Sequence, residues 1–146
     1  ANTTEIHNGA DDNASGVAGV LSIAKQLAHN NIIEESNFLF VCFTGEEEGL
    51  LGSKYFANAA NFTKYNVSSM INLDMIGRLD SAQHLYVGGV GTSPKFNEIL
   101  NQNNDAGFKL NIDSSGVGPS DHTSFYHKNI PVLFFHTGTY GLSQTN

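Results

Sequence analysis

The chain has 146 residues, apolar residues make up 40% of it, and its formal net charge is −7. That length and composition fit one soluble globular domain with a core of its own. The acidic balance excludes a nucleic-acid surface, which needs a basic stripe, and the longest apolar run, residues 38–43, is far too short to cross a bilayer.

In chain order, GADDNASG at 9–16 stands before Val17, Val20, Leu21, Ala24, Leu27 and Ala28, which share one helical face and predict a helix over 14–29. FLFVCF at 38–43 is continuously apolar, the pattern of a strand buried on both faces, and its single cysteine, Cys42, is expected to pack as a small hydrophobe. An acidic run follows, then a second helix over 50–60. Residues 67–73 read as a strand ending at Asp74, and 84–90 as a shorter strand closed by glycines. Ser93-Pro94 predicts a helix over 93–105 with Ser93 as its cap. Residues 109–113 read as an edge strand, 121–127 as a short helix and 132–136, introduced by Pro131, as the last strand. This alternation predicts an α/β fold: three layers, with a parallel or mixed sheet covered by helices on both faces. Asn2, Asn61 and Asn66 each open a glycosylation-type triplet, which a chain this rich in Asn also meets by chance.

In such sheets the site forms at the carboxyl ends of strands. Glu46 and Glu47 follow one strand end, Asp74 another, and Ser120 to His122 lie in a loop at the same rim; the acidic positions each have two readings. Asp11 and Asp12 suit either a helix start, where acids satisfy free N–H groups, or a metal. Glu46, Glu47 and Glu48 suit either a solvated helix start or a divided task, one carboxylate on a metal and its neighbour handling a proton. Asp74, amid apolar residues, needs a partner: Arg78 four residues on, or a cation. His122 and His136 are read as ligands or as simply hydrogen-bonded; His7, His29, His84 and His127 carry no pattern.

Taken together, NGADDNASG at 8–16, GEEEGLLGS at 45–53, NLDMIG at 72–77 and SDHTSF at 120–125 resemble the co-catalytic di-zinc aminopeptidases, a family that includes secreted bacterial leucyl aminopeptidases and has glutamate carboxypeptidases and glutaminyl cyclases as relatives. The resemblance implies two zinc ions bridged by Asp12, whose peptide bond to Asn13 is cis in the family. It implies that Glu46 is the general base, that Glu47 and Asp74 each bind one zinc, and that Ser120 steadies the Asp74 carboxylate. Asp11 is then left to serve the local backbone. The implied substrate is a peptide with a free N-terminus, the implied location extracellular or periplasmic, with no membrane span.

Family members complete each zinc with a histidine, one in a His-X-Asp upstream of the first block and one in a Tyr-His after the last strand. His7 and His136 are out of register with these, and Thr137-Gly138-Thr139-Tyr140 runs on without a histidine. The resemblance thus implies that 1–146 is a catalytic domain cut at both ends, binding zinc weakly and less stable at high pH, where its acids repel. A glutaminyl-cyclase-like acyltransferase, whose tryptophans this chain lacks, and a non-catalytic binding module of the same fold are the alternatives.

Overall fold

A computed structural model describes residue 6 and residues 8–59 and 64–138. Its centre is a four-stranded mixed sheet in the order β1-β4-β2-β3. The strands are β1 (Met70–Leu73), β2 (His84–Gly88), β3 (Lys109–Ile112) and β4 (Val132–His136). β1 runs parallel to β4, with Met70 opposite Val132, and β2 runs parallel to β3. β2 and β4 are antiparallel, with Tyr86 opposite His136.

The apolar run of β4 feeds two cores, because neighbouring side chains on a strand point to opposite faces. Val132 packs with Ala57 of α2 (Leu51–Asn58) and Phe125 of α4 (His122–Tyr126). Leu133 packs on the other face with Val87, Val90 and Phe96, the last from α3 (Phe96–Gln102). Helices on both faces give the expected α/β layering. α1 (Gly16–His29) lies against β1. Gly16 permits the close docking, since a Cβ there would stand 2.2 Å from the Leu73 carbonyl oxygen.

Several sequence expectations are corrected. Residues 38–43 form no strand; Phe38, Leu39 and Phe40 are 51%, 68% and 43% exposed, and Cys42 is exposed rather than packed. A strand exists only through its ladder partners, and among the described residues none pairs with this run. The apolar face of α1 is likewise open, with Leu21 64% exposed. α3 starts at Phe96, and the Ser93 hydroxyl accepts the Lys95 N–H at 3.4 Å in the turn before it instead of capping the helix. The triplets at Asn2 and Asn61, like His7 and Thr139-Tyr140, lie outside the described residues. Among the described residues no helix is long and apolar enough to cross a membrane.

Candidate metal centre

Three segments deliver carboxylates to one open cleft of about 260 Å³ at the carboxyl end of β1 and β4. Asp12 comes from the irregular turn Ala10–Ser15 that precedes α1, and its peptide bond to Asn13 is cis. Glu46 and Glu47 come from the turn after the 38–43 run. That turn is anchored by Phe43, whose ring packs 5.6 Å from Phe56 and 5.8 Å from Phe125, and by Leu51 N–H donating to Gly45 O at 2.9 Å. Asp74 follows β1, and its N–H donates to Phe135 O at 3.2 Å. The opposite wall carries Tyr86, His122, Phe134 and His136.

Electrostatics in the cleft follow from crowding. Burial first, then the charges of Asp74, Glu47, Asp121 and Asp12, push Glu46 up to about 7. The charge of Asp12, and a hydrogen bond to it, raise Glu47. Burial raises Asp74, against a hydrogen bond that lowers it: Ser120 Oγ donates to Asp74 Oδ2 at 2.7 Å, and Asn72 Nδ2 donates to Ser120 Oγ at 2.7 Å. Ser120 thus holds one oxygen of Asp74 in a fixed place. Arg78 is not the partner of Asp74; its Nε lies 3.6 Å from Asp11 Oδ2. Asp11 serves backbone far along the chain as well, accepting the Gly77 N–H at 2.8 Å.

The histidines sort by geometry. His136 Nδ1 accepts the Gly138 N–H at 2.9 Å, which places the proton of the neutral ring on Nε2. Ligation through either nitrogen would break that arrangement, so His136 lines the cleft as a donor. His122 is buried, its ring stacked 4.5 Å from Phe134, its Nδ1 without a hydrogen-bond partner, and burial lowers it to about 4. His122, a candidate ligand in the sequence, lines the cleft, and so does Tyr86, which the sequence did not mark. SDH at 120–122 was the signal for His122; Tyr86, mid-strand, has none.

Residues 2–144 match the model of peptidase family M28. The chain belongs to that family. This M28 chain is 33% identical over 127 residues to leupeptin-inactivating enzyme 1 of Streptomyces exfoliatus, covering 85% of itself and 28% of that enzyme. It is 30% identical over 149 residues to leucine aminopeptidase 2 of Trichophyton rubrum, again spanning 28% of the relative. A zinc aminopeptidase from Bacillus subtilis superposes with a TM-score of 0.71 at 28% identity, over 94% of this chain and 34% of that one. The M28 chain thus spans about a third or less of the relatives it matches.

The donors present suit a divalent cation. Asp74 Oδ1 is buried with no hydrogen-bond partner, while Oδ2 is held by Ser120. Asp12 and Glu47 line the same cleft, and the charge of Asp12 raises Glu47. A cation would supply the missing partner of Asp74 Oδ1 and relieve the crowding of like charges. Carboxylate oxygen is a normal zinc donor. Among the described residues no three His, Cys, Asp or Glu side chains stand close enough to clasp one ion together, so these carboxylates alone would fill only part of a coordination sphere.

Proposed function

We propose that this M28 chain carries the carboxylate side of a co-catalytic two-zinc aminopeptidase site, with Asp12 bridging the ions, Glu47 on one, Asp74 on the other, and Glu46 as general base. The observation that carries the reading is the convergence of Asp12, Glu46, Glu47 and Asp74 on one cleft from three separate segments. Zinc bound there would polarise the scissile carbonyl and make a water easier to deprotonate. Glu46 would take a proton from the attacking water and deliver it to the departing amine, as a carboxylate that lines the cleft without being one of the proposed ligands. Ser120 keeps Asp74 from rotating. The substrate is a peptide whose free amine rests beside the site, which restricts cleavage to the N-terminal residue. The family resemblance supports an extracellular or periplasmic location, testable by fractionating activity between cells and medium.

In the enzyme that carries this chain, Glu46→Gln should lower kcat on an aminoacyl anilide by about 10²–10⁴-fold while leaving bound zinc, measured by atomic absorption, unchanged. Equal activity would remove Glu46 from the mechanism.

A further inference from the structure

The residues on either side of Asp12 grip the residues on either side of Asp74. Asn13 Nδ2 donates to Leu73 O at 3.0 Å, and Asn13 Oδ1 accepts the N–H groups of Met75 at 3.3 Å and Gly16 at 2.9 Å. With a carbonyl acceptor on one side and N–H donors on the other, the amide has one orientation that satisfies all three. Two further rungs continue the grip: Ile76 N–H donates to Ser15 Oγ at 3.0 Å, and Gly77 N–H donates to Asp11 Oδ1 at 2.8 Å. Residues 11, 13 and 15 thus all bind 73–77, while Asp12 and Asp74, the carboxylates between these anchors, both face the cleft. The absent side chain of Gly16 lets the two segments approach.

We infer that Asn13 is a positioning residue, a spacer whose one carboxamide sets the separation of Asp12 and Asp74 and so the separation at which two cations can be held; this rests on the metal reading proposed above. Hydrogen bonding that fixes a ligand's position commonly changes metal affinity by about 10–100-fold when removed. Loss of the Asn13 amide frees the loop carrying Asp74 to move relative to the turn carrying Asp12, without touching either carboxylate.

The test is calorimetric titration with zinc alone of the chain and three variants, with thermal melting of each metal-free form. Asn13→Ala is expected to weaken zinc binding by about tenfold or more, and Ser15→Ala, which removes one rung, by a smaller factor. Thr92→Val removes hydrogen bonds to Val132 at the opposite end of β4; it should lower the melting temperature yet leave zinc affinity unchanged, which separates positioning from general loosening. If Asn13→Ala shows no melting transition, Ser15→Ala decides. Zinc binding undiminished in the folded Asn13 variant, or in Ser15→Ala where that variant decides, overturns the spacer while leaving the metal site standing. Absence of zinc binding by the unaltered chain overturns the metal reading and the spacer with it.

Discussion

Glu46 and His122 pull the pH dependence of stability in opposite directions. Glu46 rises from 4.5 to about 7 in the fold, so the folded chain holds a proton that the unfolded chain releases. Its contribution is fully present below pH 4.5 and is lost as pH climbs through 7. His122 falls from 6.5 to about 4, so its contribution is present above pH 6.5 and is lost as pH falls towards 4. Glu47, Asp74 and Asp121 act with Glu46, and His136 with His122. The expectation of simple alkaline destabilisation from crowded acids is therefore blunted by two imidazoles, His122 buried and His136 half-buried. A difference measurement isolates the acid: the melting temperature of the metal-free Glu46→Gln variant minus that of the parent should increase from pH 5 to pH 8. A difference that stays flat would show that Glu46 is ionised throughout.

Among the elements, the 38–43 run carries apolar side chains in two quite different positions. Phe43 is held among Phe56 and Phe125 and sets where the Glu46-Glu47 turn enters the cleft. Leu39 is mostly in water. Phe43→Ala should therefore cost roughly 3 kcal/mol, whereas Leu39→Ala should stay within about 0.5 kcal/mol, by urea unfolding followed by circular dichroism. Equal losses at the two positions would mean that the run is packed along its whole length in solution.

For the molecule as a whole, the acids in the cleft offer oxygen donors, and no three metal-binding side chains among the described residues gather on one ion. A polypeptide of these 146 residues should accordingly bind zinc with a Kd above about 1 μM, far weaker than structural zinc sites with four ligands. Calorimetry in a non-chelating buffer measures this directly. Two tight sites with nanomolar Kd would show that histidine ligands are not needed here.

The amphipathic spacing of α1, the apolar run of β4 and the motif blocks at 9–16, 45–53, 72–77 and 120–125 were legible in the sequence, because local periodicity and turn chemistry are properties of neighbouring residues. So was the candidacy of Glu46, Glu47 and Asp74, since acids beside apolar runs stand out, whereas Asp12 was set apart from Asp11 only by the family resemblance. Pairing was not legible. FLFVCF looks like a buried strand in any linear reading, yet its ladder depends on a partner that periodicity cannot name, and here it has none among the described residues. Nor could spacing say that Arg78 goes to Asp11 instead of Asp74, or that Asn13 grips Leu73 and Met75 across sixty residues of chain. Those choices depend on distances closed only when α1 docks on β1, at a contact that Gly16 leaves open. Local chemistry named the carboxylates; tertiary packing decided what each one faces.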